Sequence, residues 1–262
     1  MIFQPKDIIL QLIENENAKK IDIMMGGGRA SFLPKNESDP EARWDYDTYD
    51  WSHCNRLDGR NLIQEWINNT GGRYVENLEQ LNKLTLEEEK VLGIFSESYC
   101  YWDHEVNEMN NIPRLKDMAL RTVEFLEKKS DDNGYFVMIE AGRIDAAHHN
   151  GEAVTALSET VAFEAAIEAV MKIINTEETL VLVTADHAHT MSIGGYTSRF
   201  HDITGVVDDH NDFNDLAEDG NTFSILSYGN GPGFMDMNAT GAGNYTMINR
   251  GAMDSNSNAD YE

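Results

Sequence analysis

Two apolar runs, 135–139 and 180–184, each end in a cluster of carboxylates and imidazoles, and this repetition constrains the chain more than any other feature. The first run leads into Glu140-Ala141-Gly142-Arg143-Ile144-Asp145-Ala146-Ala147-His148-His149. The second leads into Thr184-Ala185-Asp186-His187-Ala188-His189. Between them, Val154, Leu157, Val161, Ala165, Ile167, Ala169, Val170 and Ile173 recur at helical spacing. The pattern predicts a buried strand over 135–140, a helix over 151–175 and a second buried strand over 179–185. That is a βαβ crossover of ordinary size. Both polar clusters then fall at strand carboxyl ends, where open α/β sheets bind their ligands.

The rest of the chain alternates in the same way. Proline in the first turn predicts a helix at 7–13, followed by a strand at 21–25 ending in Gly26-Gly27-Gly28. The triple glycine reads either as a phosphate cradle or as a plain strand-end turn, with the turn favoured. Residues 34–57 form a long polar and aromatic excursion. A helix is expected over 61–67 and a strand at 74–75. A helix over 78–84, a strand over 91–95 and a proline-started helix over 113–129 follow. Beyond Gly194 the chain turns polar and glycine-rich, apart from one more strand at 223–228. The expected class is α/β, with a central, mostly parallel sheet flanked by helices and a polar insertion after residue 194.

Asp145 and His149 are four apart, so one helical turn sets them side by side, able to grip one ion. Carboxylate oxygen with imidazole nitrogen suits zinc and related ions. Asp186 and His187, adjacent at a strand end, suit a second ion, and Glu140 is an oxygen donor suited to magnesium. Any one of these residues alone is more often a solvated surface group; two clusters on one βαβ unit reverse that balance. His189 and His148 read as residues that orient ligands by hydrogen bond, or simply flank the motif. Arg143 could reach a phosphate, though a salt bridge steadying its loop is the simpler role. His53, His104, His201 and His210 lie in surface-like segments.

Charge excludes some partners. With 46 acidic and 20 basic side chains the formal net charge is -26, which repels nucleic acid and anionic lipid. No apolar run approaches a membrane span, and the start Met1-Ile2-Phe3-Gln4-Pro5-Lys6 lacks a signal-peptide pattern. Cys54 and Cys100 allow at most one disulfide.

At the residues above, the sequence resembles the alkaline phosphatases. That family carries a Val-Glu-Gly-Gly-Arg-Ile-Asp-like run ending in a metal-binding histidine, then Thr-Ala-Asp-His-Ser/Ala-His on the next strand. The likeness continues through Met24–Arg29, Asp39-Pro40-Glu41, Arg56–Leu62, Gly194-Gly195-Tyr196 and Tyr228–Gly233, in colinear order. It implies a homodimeric enzyme that hydrolyses small phosphomonoesters with two zinc ions, one magnesium ion and a zinc-activated serine. By matching position, Asp145 and His149 would hold the first zinc, Asp186 and His187 the second, and Glu140 the magnesium. Extracellular, periplasmic or cell-surface localisation is implied in the same way.

The family's Asp-Ser-Ala nucleophile segment and its last zinc-ligand histidine have no match within these residues. The expectation is therefore a fragment, inactive or nearly so by itself: 1–193 as a partial catalytic domain and 194–262 as a strand plus insertion near the dimer interface. Ala146 stands where relatives often carry His or Lys. Many animal members bind calcium; Glu41 matches a ligand and Phe95 could offer its carbonyl, but Ser96 and Ile112 replace expected acids, so no full calcium site is expected. The alternative is a non-catalytic acidic protein that binds metal or a partner on this scaffold.

Overall fold

Short polar side chains start the first helices by accepting amide hydrogens that a helix leaves unpaired. In the computed structural model, which describes residues 7–34, 56–107, 109, 111–130, 133–207 and 223–229, Asp7 Oδ1 accepts from the Leu10 amide at 2.8 Å and opens α1 (Ile8–Glu14). Asn61 does the same for α2 (Leu62–Thr70) and Asn77 for α3 (Leu78–Asn82). Gly71, in the left-handed region at φ 68°, closes α2 by donating to the Ile67 carbonyl. Further along come α4 (Asp103–Val106) and α5 (Leu115–Lys129). The chain divides into two compact units, 1–141 with 161–180, and 142–160 with 181–262.

The first unit is built on three parallel strands, β1 (Ile23–Gly26), β2 (Arg73–Val75) and β3 (Val91–Ile94), in the order β1-β3-β2. Alternation along β3 serves both faces at once. Leu92 and Ile94 pack with Ile13 of α1 and Leu62, Ile63 and Trp66 of α2. Val91 packs with Val75, Leu81 of α3 and Met118, Phe125 and Leu126 of α5. A parallel strand covered on both faces reads as a continuous apolar run, and every residue of β3 is buried. The expected α/β class, a parallel sheet with flanking helices, is what this unit displays.

Three donors of the glycine turn after β1 are already engaged. The amides of Gly28, Arg29 and Ala30 donate to the carbonyls of Ser98, Ser96 and Glu97. A Cβ on Gly27 would stand 2.0 Å from the Ser98 carbonyl oxygen. Glycine is needed there for close backbone approach. The favoured turn reading holds, with three of the amides a phosphate would need bonded to the chain itself.

The second unit contains α6 (Gly142–His149) and an antiparallel pair, β4 (Met191–Ile193) with β5 (Leu226–Tyr228), in which Met191 faces Tyr228. The long helix expected over 151–175 is α7 (Ala153–Met171), whose first half belongs to this unit and second half to the first. β4 was not expected from sequence, since three residues carry too little periodicity.

One expectation is corrected. The runs 135–140 and 179–185 are not buried sheet strands: neither joins a ladder among the described residues. Tyr135 and Val137 pack against the core of the first unit, but Phe136 and Met138 between them are 89% and 78% exposed. Leu180, Leu182 and Val183 are exposed as well. Alternating or continuous apolar residues suit a strand's side chains, but a strand also needs a neighbouring backbone to bond with, and periodicity cannot supply one. Among the described residues no helix is long and apolar enough to cross a membrane.

Candidate metal centre

One turn of α6 carries the first half of the site. Asp145 and His149 face each other across the i,i+4 spacing, with His149 Nε2 3.4 Å from Asp145 Oδ2. The second half comes from the extended segment before β4. His187 Nε2 lies 3.5 Å from Asp145 Oδ1 and 3.4 Å from Asp186 Oδ2. His189 Nε2 lies closer, 2.7 Å from Asp145 Oδ1. All of these residues belong to the second unit.

These distances divide into two kinds. Two ligands of one tetrahedral zinc, each about 2.0–2.1 Å from it, stand roughly 3.3 Å apart. The contacts of His149 and His187 with Asp145, and of His187 with Asp186, have that spacing. The 2.7 Å contact is a hydrogen bond: the carboxylate accepts, so His189 donates from Nε2. Asp145, His187 and His189 offer ligand atoms within 4.8 Å of one another. His187 is the better ligand of the two imidazoles. Its Nδ1 faces the Ala188 carbonyl at 3.2 Å, and a carbonyl only accepts. The Nδ1 proton is thereby committed, so the neutral form of the ring, the form that ligates metal, would carry its lone pair on Nε2, the atom on the side of Asp145 and Asp186. The donor set, carboxylate oxygens with imidazole nitrogen, fits zinc.

Electrostatics agree with this division. The hydrogen bond from His189 is the largest cause holding the Asp145 carboxyl below the usual carboxylate range, aided by the nearby His149 and His187. Asp145 therefore stays anionic at neutral pH. Burial pushes the His148 imidazole below its ordinary value, and the neighbouring His189 adds to the effect.

The remaining expected residues are scattered. Glu140 is an exposed residue of the first unit. Arg143 is buried within α6, His104 is exposed, and His201 Nε2 bonds the Val206 carbonyl at 2.9 Å. Ser96 is buried beside the glycine turn. His53, His210, Cys54 and Glu41 lie outside the described residues. Tyr228 was missed as a site residue, though its hydroxyl stands 2.7 Å from His148 Nδ1. Its place in an apolar run before a glycine-rich stretch was the available signal.

A family model described as alkaline phosphatase matches residues 4–260. This chain belongs to the alkaline phosphatase family. An alkaline phosphatase of Gadus morhua is 37% identical to it over 98% of this chain and 49% of its own length. A membrane-bound alkaline phosphatase of Bombyx mori is 35% identical over 87% of this chain and 39% of its own. The crystal structure of Thermus thermophilus alkaline phosphatase aligns with a TM-score of 0.45 at 23% identity, over 58% of this chain and 27% of that one. The chain thus spans about half, or less, of the length of the curated alkaline phosphatases it matches. Members of this family are named for phosphomonoester hydrolysis and use metal ions, and in this chain Asp145, His187 and His189 form a group able to hold one.

Proposed function

We propose that this chain carries the metal-holding portion of a phosphomonoesterase centre. The observation that bears most weight is His187, whose Nδ1 is committed to the Ala188 carbonyl while Nε2 faces two carboxylates. In this reading Asp145 and His149 hold one zinc ion, Asp186 and His187 a second, and Glu140 a magnesium ion. His189 orients Asp145 and keeps it ionised, and His148 supports His189 by stacking. When bound, zinc lowers the pKa of an attacking oxygen and stabilises charge on the entering and leaving oxygens of phosphoryl transfer.

The nucleophile of the family is a serine in an Asp-Ser-Ala segment, and residues 1–262 offer no match to that segment. Small phosphomonoesters are the substrates, a homodimer is the working assembly, and the setting is extracellular, periplasmic or at the cell surface. Residues 1–193 act as the catalytic portion, and 194–262 as a polar insertion near the subunit contact.

The test has two parts. The 262-residue chain is titrated with zinc, with and without His187→Ala, and assayed on p-nitrophenyl phosphate alone and joined to family segments bearing Asp-Ser-Ala and the last histidine. Zinc binding weakened about tenfold or more by the substitution, negligible turnover alone and turnover in the joined protein are expected. Failure to bind zinc sinks the reading. Robust Asp186-dependent turnover by the chain alone shows that the nucleophile lies within it. Zinc binding without turnover in the joined protein favours the alternative, a non-catalytic acidic metal-binding or partner-binding protein.

A further inference from the structure

Within the second unit, four histidine rings and one tyrosine form a packed chain around Asp145. His148 and His189 stack at 4.9 Å between centroids, 24° from parallel. His149 meets His189 edge-on at 4.9 Å, and His187 lies 5.2 Å away. On its outer side His148 is held at Nδ1 by the Tyr228 hydroxyl at 2.7 Å, with the two rings 5.8 Å apart.

Strand pairing explains why Tyr228 reaches this place. Tyr228 ends β5 and stands opposite Met191 at the start of β4. His189 is two residues before Met191, just beyond the bend at Thr190, so the pairing of Met191 with Tyr228 brings the tyrosine into the neighbourhood of His189. A further backbone bond, from the Gly229 amide to the Thr190 carbonyl at 3.1 Å, locks that register next to the site. His148, presented by α6, fills the space between them.

We propose that Tyr228 is a positioning residue of the metal centre: its hydroxyl fixes the His148 ring, which braces His189 at hydrogen-bond distance from Asp145. The zinc side of this proposal rests on the reading of Asp145 as a ligand; the ring geometry does not. A phenol suits the task because its hydroxyl can pair with either tautomer of an imidazole, and its ring fills the gap that a serine would leave. A histidine with one nitrogen tethered and one face covered has few orientations left. Order is thereby transmitted to His189 by packing rather than by charge.

Tyr228→Phe deletes the hydroxyl and keeps the ring. The 262-residue chain is labelled with nitrogen-15, and the imidazole signals of His148 and His189 are recorded without metal, in parent and variant. Zinc dissociation constants are then measured by competition with a chromophoric chelator, and thermal midpoints are recorded without metal. The expected result is a moved His148 Nδ1 signal, faster exchange of the His189 Nε2 proton and a zinc dissociation constant raised about threefold to tenfold. That is below the roughly 10- to 100-fold that loss of a direct outer partner costs. His148→Phe keeps a ring in the stack but removes Nδ1, so Tyr228→Phe added to it should produce no further change at His189.

Unchanged His189 exchange in Tyr228→Phe overturns the proposal, whether or not zinc binds. So does an equal additional loss in the His148→Phe background, because the tyrosine would then act by another route. Absence of zinc binding in the parent chain, with the His189 signal still sensitive to Tyr228→Phe, refutes the ligand reading and leaves the positioning role standing.

Discussion

His189 Nε2 donates to Asp145 Oδ1 at 2.7 Å across a sequence separation of 44 residues. This bond joins the end of the second motif to the helix of the first. Replacing His189 by Ala should raise the zinc dissociation constant about 10- to 100-fold, as loss of an orienting partner does. It should also let the Asp145 carboxyl rise toward its ordinary range, because the lost bond is the main cause of its depression. Chelator competition and carbon-13 titration of Asp145 measure the two effects. An unchanged affinity would remove His189 from the centre.

The glycine turn makes a sharper prediction about stability. At Gly27 an added Cβ meets the Ser98 carbonyl oxygen and the Ser96 Oγ, and the backbone on the opposing side cannot easily withdraw. Gly27→Ala should cost about 1–3 kcal/mol in urea unfolding, as overpacking does. Gly28, at φ 90° with open space around its missing Cβ, should lose only the backbone penalty of about 1–2 kcal/mol on substitution by Ala. Equal tolerance at Gly27 and at an ordinary surface glycine would refute the close approach.

Acid should weaken the network at Arg56. Asp58 is held at about 2, first by the Arg56 hydrogen bond and then by the Arg60 amide, against an ordinary value of 3.8. Asp7 is lowered by Arg56 in the same way. A depressed carboxyl stabilises the fold fully above its unfolded pKa, and that contribution is lost as pH falls through the folded pKa. The window for Asp58 therefore runs from 3.8 down to about 2. The effect is modest because Asp58 is partly exposed. Arg56→Gln should flatten the fall of thermal midpoint in that window; parallel curves for parent and variant would contradict the linkage.

The open face of 135–139 predicts behaviour in solution. Phe136 and Met138 stand out of a segment whose alternate residues pack inward. Exposed neighbouring apolar groups of this kind attract hydrophobic dyes and other chains. Phe136→Lys with Met138→Lys should reduce dye binding and self-association while leaving the thermal midpoint nearly unchanged. A collapse of stability would show that this face is buried in solution.

Much of this protein was legible locally. Helices were expected over 7–13, 61–67 and 78–84, and the caps Asp7, Asn61 and Asn77 that start them act within a few residues of the backbone groups they satisfy. The buried run of β3 was readable for the same reason, and the i,i+4 pair Asp145 and His149 needed only one helical turn. The tertiary structure alone decided whether apolar runs became strands, since 135–140 and 179–185 have the composition but join no sheet among the described residues. It also decided that His189 is the imidazole bonded to Asp145, and it brought Tyr228 to His148 beside the paired ends of β4 and β5. The pairings of His189 with Asp145 and of His148 with Tyr228 join residues 44 and 80 positions apart, and no local pattern of side chains encodes such a distance.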